Sequence, residues 1–368
     1  MLQKRKNNLL NVKEIRVLIN PVSFHLKLFD MQKTTLLIPV MILLFISCKK
    51  SEESTAVNPK DTTATTVTSG DPLPSWNDGT LKKDIIAYVE KVTKEGSPDF
   101  IPIENRIATF DNDGTLWAEK PYVQELFAFY RVKKMVEANP ALAQKQPFKA
   151  VVEKDKTFFE KGGDKALIEL VAATHTGMTE DEFEASTKEF FASAQYPGKN
   201  VPIKQIRYQP QLELLNYLRA NGFKTFIVTG GTVEVVRAIS QDYYGIPKDQ
   251  VVGTSFKYKF DDAKNAILRE PALDHFNDKE GKPVGIQLHI GQRPVFACGN
   301  EGGAGDLAML RYSQGNKYPS FQLIVNHNDS IREYNYQEKD NLSLSTAAKY
   351  KYHVVSIKDD WKKIFPDK

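Results

Sequence analysis

Five short apolar runs constrain the fold of this chain more than any other feature: residues 106–110, 224–228, 294–298, 322–325 and 353–357. Each has the length and unbroken apolar character of a strand buried on both faces. Helical patterns lie between them. Residues 209–221 carry Leu212, Leu215, Tyr217 and Leu218 at amphipathic spacing, and helices at 233–242 and 305–312 follow their strands directly. Alternating strands and helices imply an α/β fold, a Rossmann-like parallel sheet with its site at the strand C-terminal ends. Residues 117–206 break the rhythm. They show no clear strand and read as helices at 122–137, 148–160, 165–174 and 179–194, an inserted helical cap over the site or, more plainly, a structural subdomain. Residues 251–269 alternate around Asp261-Asp262 and predict a hairpin.

The N-terminal part reads as address and tether. Met31-Gln32-Lys33 precedes an apolar run from Thr34 to Ser47, then Cys48-Lys49-Lys50. Fourteen residues fit the core of a secretory signal better than a membrane span. Phe45-Ile46-Ser47-Cys48 resembles the lipobox of bacterial lipoproteins, with Phe45 where Leu is usual. The resemblance implies lipidation of Cys48 and residence in the cell envelope, periplasmic or at the outer surface; a secreted soluble form is the alternative. Met31 is a natural start, so residues 1–30 are expected to be an over-called beginning and 31–48 the signal. Residues 49–76, rich in Ser, Thr, Asp and Pro, form a flexible linker, and 77–368 the folded domain.

Charge narrows the class of partner. The net charge of +4 equals the excess of residues 1–30, where Lys4, Arg5, Lys6, Lys13, Arg16 and Lys27 face only Glu14 and Asp30. The rest balances to zero, so no basic domain suggests nucleic acid. With Cys48 lipidated, Cys298 is alone. It ends an apolar run, the setting of a packed core thiol.

Four segments carry chemistry. The first is Asp111-Asn112-Asp113-Gly114-Thr115, at the end of the first run. Two carboxylates at i and i+2 repel, which favours a cation between them, and oxygen donors select a hard ion such as Mg²⁺. An Asp-rich turn is the plainer alternative. The second, Val228-Thr229-Gly230-Gly231-Thr232, places a hydroxyl and backbone N–H groups where a phosphate oxygen can be held. Taken alone it reads first as a helix N-cap. The third is Lys282, at the entry to an expected short helix, a point charge for a phosphoryl oxygen. The fourth is Gly299-Asn300-Glu301, followed by a glycine-rich stretch and Asp306, oxygen ligands that complete a metal site.

In this order the four segments resemble the haloacid dehalogenase superfamily, in its phosphoserine phosphatase-like branch, from about Arg106 onward. The resemblance implies a Mg²⁺-dependent phosphomonoesterase working through an aspartyl-phosphate. Asp111 is then the nucleophile and Asp113 the general acid and base. Thr229, Gly230 and Lys282 hold the phosphoryl group, and Asp111, Asp113, Asn300 and Asp306 hold the metal. Asn300 departs from the family pattern, which has an acid there, and Asp306 follows six residues later instead of about four. Glu301 is a candidate substitute, and weak Mg²⁺ binding is expected. Glu119, Gln124 and Arg131 stand early in the cap, and Glu119 and Arg131 are candidate substrate contacts. The segments around Asn326–His327, Arg332–Tyr334 and Asp359–Trp361 also resemble the branch without an assigned role. Two alternatives remain at this point: a non-catalytic surface lipoprotein that binds a ligand or partner on the same fold, and a phosphoserine-specific phosphatase or phosphotransferase. A small phosphorylated substrate is the expected partner; no protein partner is inferable.

Overall fold

A computed structural model describes residues 70–302 and 305–367. The signal, Cys48 and most of the expected tether lie outside these residues. Among the described residues no helix is long and apolar enough to cross a membrane.

The sheet has seven strands. In chain order they are β1 (Ile107–Phe110), β4 (Lys224–Thr232), β5 (Val251–Asp261), β6 (Ala266–His275), β7 (Phe296–Asn300), β8 (Phe321–Asn326) and β9 (His353–Ser356), while β2 (Gln195–Tyr196) and β3 (Val201–Pro202) form a separate small pair in the insertion. The spatial order is β6-β5-β4-β1-β7-β8-β9, with every neighbour parallel except β5 and β6. All five expected strands are therefore present, within two residues at the N-terminal ends. Burial explains them: β1 is buried throughout and β7 likewise.

Register places the site. Phe110 of β1 lies level with Ile227 of β4 and with Cys298 of β7. The residues that follow, Asp111, Val228-Thr229 and Gly299-Asn300, thus stand side by side toward the C-terminal end of the sheet. The chain runs outward from β4 to β6, then returns to the other side of β1. That reversal is a topological switch point, where α/β folds open a crevice.

Helices α6 (Gln209–Ala220), α7 (Val233–Tyr244), α8 (Gly281–His289) and α9 (Leu307–Gln314) connect these strands. On α7, Val233, Val236, Ser240 and Tyr244 are buried at helical spacing, and Gly245 ends it at φ 67°, a left-handed cap that glycine adopts without strain. Helix α1 (Thr80–Thr93) buries Leu81, Ile85, Val89 and Val92, and α10 (Leu342–Tyr350) and α11 (Ile357–Asp360) flank β9.

The insertion between β1 and β4 is mainly helical, as expected: α2 (Val123–Ala138), α3 (Phe148–Val152), α4 (Lys156–His175) and α5 (Glu180–Ser193). Three details differ. A helix over 148–160 does not form. The Asp155 carboxylate accepts from Thr157 N and Phe158 N, capping a new helix and closing α3 before it. Helices expected on either side of 161–164 are one element, α4, interrupted by non-helical Gly163. The insertion also holds a two-residue antiparallel pair, β2 (Gln195–Tyr196) and β3 (Val201–Pro202). For α5, Thr179 and Glu182 form a reciprocal capping box that fixes its start.

The predicted hairpin is present and longer than expected, and β6 ties the insertion to the core. Arg269 is buried; its guanidinium donates to Glu180 at 2.8 Å and to the His175 carbonyl at 2.6 Å, and pairs with Glu234 at 3.0 Å. One cation therefore joins α4 and α5 to the first turn of α7.

The linker boundary moves toward the N-terminus. Leu73 and Trp76 are fully buried, the Trp76 indole donates to the Pro210 carbonyl at 3.0 Å, and its ring meets Trp361 edge-on at 6.0 Å. Two large apolar side chains suffice to fix a segment whose average composition is that of a tether, so packing begins at Leu73 instead of Asn77.

Candidate active site

Asp111 leaves β1 with its amide donating to the Cys298 carbonyl at 2.9 Å, which pins the first residue past the strand to β7. Lys282, in the first turn of α8, reaches back beneath it. Its ammonium donates to Asp111 Oδ1 at 2.6 Å, Asp306 Oδ1 at 2.5 Å and the Val228 carbonyl at 2.9 Å. Asp306 Oδ2 accepts from the Asn300 amide at 2.9 Å. The first, third and fourth segments of the sequence thus meet through one buried lysine.

Gly114 makes the turn after Asp113. Its φ is +75°, and a Cβ there would stand 2.0 Å from Asn300 Nδ2, so only glycine fits. The turn is held from outside. His327 lies 2.9 Å from the Gly114 carbonyl through Nε2 and 3.2 Å from Glu333 through Nδ1, and the Tyr208 hydroxyl donates to Glu333 at 2.8 Å. The segment around His327 and Glu333, which had no assigned role in the sequence, buttresses the catalytic-type loop. Trp117 donates its indole N–H to Asp113 Oδ1 at 2.9 Å and fixes that carboxyl.

At the second segment, buried Thr229 accepts from the Gly231 amide at 3.0 Å. Gln124 of α2 accepts from the Thr232 amide at 2.8 Å and lies so close over Gly231 that a Cβ would stand 1.8 Å from its Nε2. Asn277 donates to the Thr229 carbonyl at 2.8 Å, joining the loop before Lys282 to β4.

Asp111, Asp113, Glu119, Thr229, Gly230, Lys282, Asn300 and Asp306 all line one cavity of about 580 Å³ between the sheet and the insertion. Two expectations are corrected. Arg131 is not in the cavity: it donates to the Thr174 carbonyl and the Ser186 hydroxyl, holding helices of the insertion together. Glu301 is fully buried but does not line the cavity, whereas Asn300 and Asp306 of the fourth segment do, with Gly302 and Gly305. Glu119 is buried beside Asn300 Nδ2 at 3.5 Å, and the Tyr336 hydroxyl accepts from the same amide at 3.1 Å.

The residues the motifs miss are those of the far wall: Leu167, Ile168 and Val171 from α4, Leu273 from β6, and Phe276 and Asp278 just after it. Position next to the Lys282 segment was the only available signal for Phe276 and Asp278.

Electrostatics follow from burial. Burial raises Asp111 well above the usual carboxylate range, reinforced by the Asp306 charge and opposed by Lys282. Burial also raises Asp113, against the Trp117 hydrogen bond. Lys282 is held charged: burial alone would lower it, but Asp111 and Asp306 outweigh that and raise it. Three carboxylates, Asp111, Asp113 and Asp306, face this one ammonium when all are ionised. Two negative charges are then left over, and the groups lining the cavity beside them, the three carboxylates and the Asn300 side-chain amide, offer oxygen donors. That is the chemistry of a hard divalent cation site. Among the described residues no three His, Cys, Asp or Glu side chains are gathered for a metal. The fit rests on the Asn300 side-chain amide completing the set.

The model of the haloacid dehalogenase-like hydrolases matches residues 108–311, more than half of the chain. The chain belongs to this family. Its seven-stranded, mostly parallel sheet is the α/β fold of the haloacid dehalogenase-like hydrolases, and residues 108–311 take in all four motif segments and the insertion. Among solved structures, a conserved protein of unknown function from Anaerococcus prevotii DSM 20548 is 17 % identical, with 75 % of this chain and 91 % of that one covered at a TM-score of 0.50. A phosphoserine phosphohydrolase-like protein from Francisella tularensis subsp. tularensis SCHU S4 is 19 % identical over 66 % and 99 %, at 0.36. A substrate-bound phosphoserine phosphatase is 15 % identical over 67 % and 98 %, at 0.32. At these identities the first likeness speaks to the fold alone. No curated protein matches the chain significantly.

Proposed function

We propose that this haloacid dehalogenase-like hydrolase is a Mg²⁺-dependent phosphomonoesterase, with Asp111 as nucleophile and Asp113 as general acid and base. The observation that carries the reading is the buried contact of Lys282 with both Asp111 and Asp306 at the mouth of β1. Lys282 opposes the rise that burial and Asp306 impose on Asp111 and so favours its ionised, nucleophilic form, a contact that a turn or a binding loop has no use for.

An Asp111 oxygen attacks phosphorus and the bond from phosphorus to the leaving oxygen breaks. The proton held by Asp113 passes to that oxygen, releasing an alcohol and leaving an aspartyl-phosphate. Water then attacks phosphorus, gives its proton to Asp113, and frees phosphate and Asp111. Burial that raises Asp113 suits the first half, because the group must begin protonated. Trp117 keeps it aimed. Thr229 and the Gly230–Gly231 backbone stand where phosphoryl oxygens would be held. Asp111, the Asp113 carbonyl, Asn300 and Asp306 would hold Mg²⁺, which when bound offsets the negative charge of nucleophile and phosphate. A signal and a lipid anchor at Cys48 would put this activity in the cell envelope, releasing phosphate from small organic phosphates.

The test is hydrolysis of para-nitrophenyl phosphate by the full chain, with and without Mg²⁺, beside Asp111→Asn. Mg²⁺-dependent turnover that falls by roughly 10⁴-fold or more in a folded Asp111→Asn protein is expected. Turnover that survives the substitution would remove the nucleophile from the reading. Absence of turnover with any divalent ion would favour a binding protein on the same fold.

A further inference from the structure

The far wall of the cavity identifies the kind of group that phosphate leaves behind. Leu167, Ile168 and Val171 of α4 line the same cavity as Asp111 and Asp113, with Leu273 of β6 and Phe276 just after it. Leu167 and Phe276 each remain 46 % exposed, so the mouth presents apolar surface that no side chain of the described residues covers.

Charge in the cavity points the same way. Lys282 is the only lysine or arginine among the lining residues, and its three donors are taken by Asp111, Asp306 and the Val228 carbonyl. Lys120 lies outside the lining, beside Glu119 at 3.8 Å and over the Tyr122 ring. His175 is held neutral by burial, with Arg269 adding to the effect. Arg131 is spent within the insertion. Glu119, Glu125 and Asp278 line the same space. A second anionic group on the substrate would therefore meet acids and, among the described lining residues, no lysine or arginine left unpaired, a buried charge that costs more than the contacts it makes.

We propose that the substrate is a phosphate monoester of an apolar, uncharged alcohol of about the size of an aromatic ring, selected by Leu167 and Phe276, and that esters whose alcohol part carries a carboxylate, phosphoserine among them, are disfavoured. This rests on the phosphomonoesterase reading above and adds the substrate class to it. A cavity of about 580 Å³ accommodates a phosphoryl group and a ring together.

The experiment compares kcat/KM of the full chain with Mg²⁺ on 2-phenylethyl phosphate, phosphoserine and glycerol 1-phosphate. All three are alkyl esters, so leaving-group reactivity differs little. A preference for 2-phenylethyl phosphate of roughly tenfold or more is expected, the size of a specific apolar contact. Leu167→Lys, at an exposed helix position, should shift the ratio toward phosphoserine by a similar factor. Phe276→Ser should lower the preference without favouring phosphoserine. Equal or reversed preference in the unaltered protein, or a ratio that neither substitution moves, overturns the proposal while leaving the reaction standing. If no ester is hydrolysed, calorimetric titration of Asp111→Asn with 2-phenylethyl phosphate and with phosphoserine separates the two claims. Tighter binding of the former upholds the apolar pocket without the reaction, and equal binding overturns both.

Discussion

The two walls of the cavity are built from different chemistry. The sheet wall is polar and over-determined: Asp111 and Asp113 follow β1, Thr229 lies near the end of β4, Lys282 and Asp306 stand at the starts of α8 and α9, and each holds a hydrogen bond to another fixed group. The α4 side of the insertion is apolar, with Leu167, Ile168 and Val171 along one face of the helix. Reaction needs atoms fixed to within a fraction of an ångström, and strand ends provide that. Selection among leaving groups needs only shape and polarity, which a helix face supplies and can vary without disturbing the sheet.

Changes in the sheet wall should therefore cost rate, and changes beyond it should tune binding or stability. The largest effect after loss of the nucleophile is expected for Asp113→Asn. It keeps an acceptor for Trp117 but cannot carry the proton, so kcat should fall by about 10²–10⁴-fold in steady-state kinetics. A loss confined to KM would make Asp113 a binding residue and blur the contrast between the walls.

Asn300 offers a sharper cut. With an amide where the family has an acid, calorimetry should give a Mg²⁺ dissociation constant in the micromolar range or weaker, and a sub-micromolar value would contradict it. Asn300→Asp should tighten it by about tenfold, because carboxylate count sets affinity in oxygen sites. An unchanged constant would place the metal away from residue 300.

The smallest effect lies in the insertion and concerns stability alone. Burial, with the Arg269 and Arg131 charges, keeps His175 well below the ordinary histidine value of about 6.5. The unfolded chain then binds a proton that the folded chain refuses. Stability from this group is complete above about pH 6.5 and is lost as pH falls toward the depressed value, by up to about 1.4 kcal/mol per unit. His175→Phe, packing against Phe127 and Phe183, should flatten melting temperature against pH in that window. An unaltered slope would show that His175 is not the titrating group.

The same contrast explains what the sequence discloses. The strands and the four polar segments are legible because each is local: an apolar run, then residues of special chemistry at fixed spacing. Lys282, weak by itself, gains meaning only from order, and the structure brings its ammonium between Asp111 and Asp306. The roles of His327, Glu333 and Tyr336 are not legible, because His327 acts across 213 residues of chain on the Gly114 turn, Glu333 acts through His327, and Tyr336 reaches Asn300 across 36. The apolar wall leaves no signature either, since Leu167 and Val171 look like any core-facing positions of a helix. Arg131 misleads for the converse reason: a charge on a helix near a site reads as a ligand contact, while here it binds a helix end and a serine within the insertion. Helix α1 lacks a side-chain cap and an acidic first turn, the marks by which a helix start is recognised.

The most direct test of the account is chemical trapping of the covalent intermediate. The full chain, quenched during turnover of para-nitrophenyl phosphate with Mg²⁺ and reduced with borohydride, should yield homoserine at position 111, seen by peptide mass spectrometry and absent without substrate. An unmodified Asp111 in a protein that is turning over, or homoserine at another aspartate, would contradict it.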